Sequence, residues 1–181
     1  MGKRIEELTP ELIDFIKEQK IFFVGTAMKE GKVNVSPKGM DSFRVLESNK
    51  IIWLNVTGSG NETATHILES DRMTIMFCAF EGKPLILRLY GEARAYHEWD
   101  TQYQEYISMF PKIAGARQIF EMKIDLVQTS CGMAVPYMDF RGERTQLNAW
   151  AEKQGEEGLE NYKREKNVVS LDGHPSGIFK P

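Results

Sequence analysis

Cysteine is scarce: Cys78 and Cys131 are the only two in 181 residues, and they sit in separate hydrophobic stretches without ligand spacing. That excludes a disulfide framework and a thiolate metal centre, and makes reduced, mostly buried thiols in a cytoplasmic protein the expectation. His66, His97 and His174 are far apart, so no metal site is expected, and each reads as an ordinary surface or helix histidine. No apolar run reaches the roughly 18 residues that a membrane span needs. The polar start, Met1 to Pro10, does not look like a signal peptide. Basic excess is missing too: Lys and Arg number 23 against 26 Asp and Glu, a net charge of -3, which gives no reason to expect nucleic-acid binding. The densest basic cluster, Lys163, Arg164 and Lys166, is interrupted by Glu165 and flanked by Glu160, as on a solvated helix face. There is no G-x-S-x-G, neither Ser36 nor Ser130 has a nucleophile's context, and no internal repeat is present.

What is present is an ordinary globular composition, 41% hydrophobic and 27% charged, enough for one domain or one domain with an appendage. Thr9 followed by Pro10 predicts a helix start, although Leu12 occupies the place where a capping box has an acid or amide. Leu12, Ile13, Phe15 and Ile16 then recur at helical spacing. From Ile21 the period changes to that of strands: IFFVGTA, a turn at Lys29 to Gly31, then KVNVSP, a hairpin signal. Phe43 to Leu46 and Lys50 to Val56 form a second pair; Thr63 to Ser70 is a short helix, and Arg72 to Phe80 an apolar strand. LILRLYGEARAY is a long strand bent or bulged at Gly91. This density of short-turned strands predicts a closed or nearly closed barrel. A helix follows over Glu98 to Met109, with Trp99, Tyr103, Tyr106 and Ile107 on one face, and strand character returns between Gln118 and Val135. Past Pro136 charge dominates. A surface helix broken at Gly155 and Gly158 spans Thr145 to Lys166, and Asn167 to Pro181 reads as an extended, loosely held tail. The division expected is a domain over 1–136 and a charged helical extension and tail over 137–181.

One stretch stands out, Gly31 to Ile67. Its second half sets a strand ahead of Thr57, Gly58, Ser59 and Gly60, with a helix starting near Asn61. Glycines let successive N–H groups converge on one anion, and a helix N-terminus adds its free N–H groups and dipole. Thr57, Ser59, Asn61 and Thr63 offer side-chain donors. A plain strand-to-helix turn with an Asn or Ser cap fits the same composition. Charged residues within strands are a second signal, because an inward ionised group needs a partner. Lys38 ends an alternating strand, and Arg88 lies at the centre of PLILRLYG. Each suits an outward position on a half-exposed sheet, or an oligomer interface or anionic ligand.

The ordered series VSPKG, TGSGNETATHI, RMTIMFCAF and RLYGEA resembles the pyridoxamine 5'-phosphate oxidase superfamily, the FMN-binding split barrels, over roughly Leu8 to Tyr96. It looks closest to the pyridoxamine phosphate oxidase-related FMN-binding proteins, among which SCGMAVP and WAEKQGEEGLENY also look at home. The resemblance implies a mostly β, six-stranded Greek-key split barrel with flanking helices, homodimeric, holding FMN at the subunit interface. It carries isoalloxazine contacts to Val35, Ser36, Pro37, Lys38 and Gly39, phosphate contacts to Thr57, Gly58, Ser59, Gly60, Asn61 and Thr63, and a reach toward the partner's flavin to Arg88. In that setting hydride exchange occurs at N5 while Lys38 and backbone N–H groups stabilise negative charge at N1 and C2=O.

The chain also departs from the oxidases. Val33 stands where they have an arginine five positions before the lysine, and Asn61, Glu62 and Thr63 stand where they have Ser-Arg-Lys. Ile86 replaces a glutamine, and the substrate-binding arginine and histidine have no counterpart after Pro136. Two fixed cations are thereby missing, and Glu62 must point away from any phosphate. The expectation is an FMN-dependent oxidoreductase that takes a small molecule or NAD(P)H but does not turn over pyridoxamine phosphate. A carrier or sensor that binds flavin without catalysis is the alternative. A deazaflavin-dependent reductase is disfavoured because residues 57 to 67 hold no Lys or Arg to meet an acidic tail. No residue stands out as a general acid or base; Tyr90, Cys131 and Tyr137 are candidates for lining the cleft, with apolar packing the plainer role for each.

Overall fold

The computed structural model describes residues 2–180. After a two-residue strand β1 (Arg4–Ile5), helix α1 (Pro10–Glu18) starts where Thr9 predicts, its hydroxyl accepting from Leu12 N–H. Strands β2 (Phe22–Thr26) and β3 (Asn34–Lys38) form the expected hairpin, with Gly31 at φ +97° in the connection, and β4 (Phe43–Glu47) pairs with β5 (Lys50–Val56). Helix α2 (Glu62–Glu69) leads to β6 (Arg72–Cys78) and the long β7 (Ile86–His97). Helix α3 (Thr101–Tyr106), with a 3-10 turn over Ile107–Met109, precedes β8 (Ala116–Ser130), and α4 (Gln146–Lys166) is kinked at Gly155.

The sheet is antiparallel, in the order β3-β2-β6-β7-β8-β5-β4, with β1 on the far half of β8. It has eight strands, not six, and among the described residues no pairing joins β3 to β4, so it is an open sheet rather than a closed barrel. It nevertheless rolls around its core. Phe22 on β2 and Phe43 on β4 have four strands between them in the sheet order, yet their rings are 4.9 Å apart. Phe77 joins them, and Trp53 stacks on Phe120 at 4.6 Å. Burying each such side chain is worth about 1.5–3 kcal/mol, which favours the curled form over a flat one. The predicted bulge is real: the β7–β8 register shifts between Tyr90 and Gly91, where an added Cβ would lie 2.0 Å from the Lys123 carbonyl oxygen.

Several expectations need correction. Strand β8 begins at Ala116 and stops at Ser130; residues 131–135 turn, with Val135 N–H donating to Gly132 O. Trp99 precedes α3 instead of joining its buried face, and it stacks on His97. The tail is not loosely held, because Asn167, Ser170, Ser176 and Ile178 are all buried. Of the two thiols, Cys78 is buried as expected but Cys131 is exposed; His66 is a helix histidine, on α2, but a buried one, with Nδ1 3.0 Å from the Thr26 hydroxyl. No helix among the described residues is long and apolar enough to cross a membrane.

Candidate functional site

A cavity of about 550 Å3 opens where β3, β5, the turn after β5, α2, β8 and the chain around α4 meet. That is within the usual range for a small-molecule site. Strand alternation explains the β3 wall. Ser36 and Lys38 pair with Val24 and Phe22, both core residues, so they share the inward face. Val35 and Pro37 have the opposite phase: Val35 is 67% exposed and does not line the cavity, whereas Pro37, exposed at the strand end, touches its rim. The two halves of the Gly31 to Ile67 stretch therefore meet at one cavity, SPKG on one wall and TGSGN on the other.

Three cations line this space, Lys38, Arg117 and Lys166; Lys166 pairs with Glu165, whereas neither Lys38 nor Arg117 takes part in any of the ion pairs formed among the described residues. The Lys38 ammonium lies 5.4 Å from the centre of the Trp53 ring. Burial pushes its pKa down to about 8, and repulsion from Arg117 adds to the shift. Arg117 is itself lowered to about 10, also chiefly by burial. Its Nη1 donates to Asn167 Oδ1 at 2.6 Å. With the Asn55 amide oxygen assigned to the guanidinium side, Nε and Nη2 donate to it at 3.2 and 3.0 Å.

The turn differs from a plain cap. Asn61 precedes α2 but makes no capping bond, and both polar atoms of its buried amide lack partners, beside the free N–H groups of the helix start. Thr63 accepts from Asn34 Nδ2 at 3.2 Å, which leaves its own O–H free to donate. Thr57 contributes less than expected, because both its N–H and its hydroxyl are spent on the Gly115 carbonyl. Ser59 is exposed at the mouth. Glu62 lines the cavity, but its carboxylate is engaged by Leu171 N–H at 3.1 and 3.2 Å.

Arg88 is not in the cavity. It lies on β7 between Met76 and Gln128 and donates to Ser130 Oγ at 3.2 Å. Tyr90, Cys131 and Tyr137 line no part of the cavity: Tyr90 donates to Gln128, and Tyr137 is 82% exposed rather than packed. Sequence reasoning missed Arg117, Asn55, Asn34 and the tail residues Val169, Ser170 and Leu171. Only Arg117 left a trace, a charged residue at the head of the apolar strand RQIFEMKI.

The pattern of the pyridoxamine 5'-phosphate oxidase family matches residues 8–131. The chain is 36% identical over 188 residues to the pyridoxamine 5'-phosphate oxidase family protein ustO of Aspergillus flavus, covering 94% of this chain and 76% of that protein. Two solved structures share the fold. A variant of HupZ from Group A Streptococcus is 20% identical with a TM-score of 0.55, over 68% of this chain and 99% of its own. A protein of Lactobacillus delbrueckii, provisionally named for the same oxidase, is 19% identical with a TM-score of 0.53, over 67% and 93%.

Proposed function

Because this chain belongs to the pyridoxamine 5'-phosphate oxidase family, we propose that it is a cytoplasmic FMN-binding flavoprotein and an oxidoreductase whose substrate is not pyridoxamine phosphate. The observation that carries this reading is the pairing, on one cavity, of two cations without carboxylate partners and a buried Asn61 amide with nothing to bond. Desolvated cations and orphaned amides are costly alone and are offset by an anionic ligand that bonds them. The residues fit FMN: Asn61, Thr63 and the start of α2 would hold its phosphate, and Ser36 and Lys38 its ring.

Bound FMN supplies hydride-accepting chemistry. Lys38 contributes a positive charge in a partly dry site and a proton at Nζ that it releases near pH 8. Ser36 Oγ, buried and unpartnered on the same strand face, offers a hydrogen bond to the same ligand. Homodimerisation is part of the proposal. Pro37, Phe23, Met76, Arg88 and Gln128 form one cross-strand row on the outer sheet face, half-buried to exposed, and a second copy on this face would bring Arg88 toward its partner's cleft.

One observation favours the alternative of a carrier or sensor. Apart from Lys38, the ionisable groups on the cavity wall are Arg117, Lys166 and Glu62, and Glu62 is tied to Leu171, so acid–base equipment is sparse. The visible spectrum of the purified protein tests the shared part, since flavin bands on isolation or after adding FMN are expected and a colourless protein indifferent to FMN refutes both. Anaerobic NADH or NADPH then separates them: an enzyme's flavin bleaches and recovers in air. Pyridoxamine phosphate should not be consumed.

A further inference from the structure

We propose that Arg117 supplies the cation missing from the turn, as the residue that recognises the ligand's phosphate, and that Asn167 positions it. This rests on the reading of the cleft as a site for a phosphorylated flavin. A guanidinium has five N–H groups. The Nη1 bond to Asn167 and the Nε and Nη2 bonds to Asn55 leave one N–H on each terminal nitrogen. Two adjacent N–H groups on one planar cation match two oxygens of a phosphate better than a lysine does. None of the ion pairs among the described residues neutralises that charge, so its hydrogen bonds to the two amides offset only part of the desolvation cost and no counter-charge offsets the rest until an anion arrives.

Asn167 ties the guanidinium to the turn. While Oδ1 accepts from Arg117, Nδ2 donates to Gly58 O at 2.9 Å, so one fully buried side chain fixes the cation against TGSG. Its backbone is equally committed: N–H donates to Lys163 O at the end of α4, and its carbonyl accepts from Ser176 Oγ. Four residues on, Leu171 N–H engages Glu62 and takes up the one carboxylate on the cavity wall. The segment after α4 thus orients the cation and restrains the anion. By linkage, a ligand that binds Arg117 must in turn steady that segment.

FMN and riboflavin differ only in the phosphate, so titrating both by quenching of flavin fluorescence isolates this contact. Asn167→Asp keeps the size but sets a carboxylate on Arg117 and removes the donor to Gly58. It should weaken FMN binding about 10- to 100-fold while changing riboflavin affinity less than about threefold. Arg117→Met should act likewise, and Arg117→Lys should recover part of the loss. Hydrogen exchange on the unmodified protein supplies a readout that needs no variant to fold: amides of residues 168–178 should slow with FMN and not with riboflavin. Equal weakening of both flavins, or a tail whose exchange responds equally to both, would overturn the Arg117 assignment and leave the flavin reading standing. A wild-type protein that binds neither flavin overturns the flavin reading itself.

Discussion

Replacing Lys38 with methionine should stabilise the ligand-free protein at pH 7. The ammonium is partly buried at the end of β3, makes no side-chain hydrogen bond among the described residues, and has only the Trp53 ring beside it in compensation. An unfolded chain keeps the Lys38 proton up to about 10.5, and the folded chain releases it at about 8. Between those values the unfolded state binds more protons, so this group's contribution makes stability rise with pH across that window, and below it the full desolvation cost is present. At 1.36 kcal/mol per pH unit the gap from about 8 to 10.5 is worth ~3 kcal/mol; solvent screening at the part of the side chain that water reaches cuts that to ~1–2 kcal/mol. Loss of the contact with Trp53 returns roughly 0.5 kcal/mol. The assay is urea unfolding of wild type and Lys38→Met at pH 7, 9 and 10.5 without flavin. The variant's advantage should shrink as pH rises and vanish near 10.5. Saturating FMN should reverse the order at pH 7, because the wild-type charge then has an anion beside it. An advantage that does not change with pH, or a wild type more stable than the variant at pH 7 without ligand, would refute the reasoning.

Other outcomes follow from the same geometry. FMN affinity itself should fall as pH rises through about 8 in wild type, as Lys38 loses its charge, and a titration series should show that fall flattened in Lys38→Met. Thr63→Glu places a carboxylate at the start of α2 beside Asn34; FMN binding should weaken by about tenfold or more, and unchanged affinity would remove Thr63 from the phosphate site. Gly91→Ala forces a Cβ into the Lys123 carbonyl at the β7–β8 bulge, and chemical denaturation should show a loss of about 1–3 kcal/mol. Phe77→Ala, in the centre of the aromatic core, should cost about 3–5 kcal/mol by the same measurement.

The oppositely signed groups around the cleft are segregated by the tail. Asp172, paired with Lys32, lines no part of the cavity that Lys38 and Arg117 face, and Glu62, which does line it, is engaged by Leu171 N–H. With Lys38, Arg117 and Lys166 against the one carboxylate of Glu62, the cavity wall is net positive where an anion would sit, although the chain as a whole carries a net charge of -3.

Local physics determined much of this protein. Thr9 and Pro10 start α1, Gly31 closes the β2–β3 hairpin, Gly91 marks a bulge, and the alternation of β3 puts Ser36 and Lys38 on one face, all of it readable from neighbours a few residues apart. The family resemblance added that VSPKG and TGSGN belong to one site. Tertiary structure alone decided the rest. The sheet rolls without closing because Phe22, Phe43 and Phe77 meet across strands distant in order, which no periodicity encodes. Sequence reasoning started the last strand at Gln118 and so passed over Arg117, whose burial and missing counter-charge depend on Asn55 and Asn167, each at least 50 residues away along the chain. The turn after β5 carries no cation in its own sequence, and the fold brings one to it from β8.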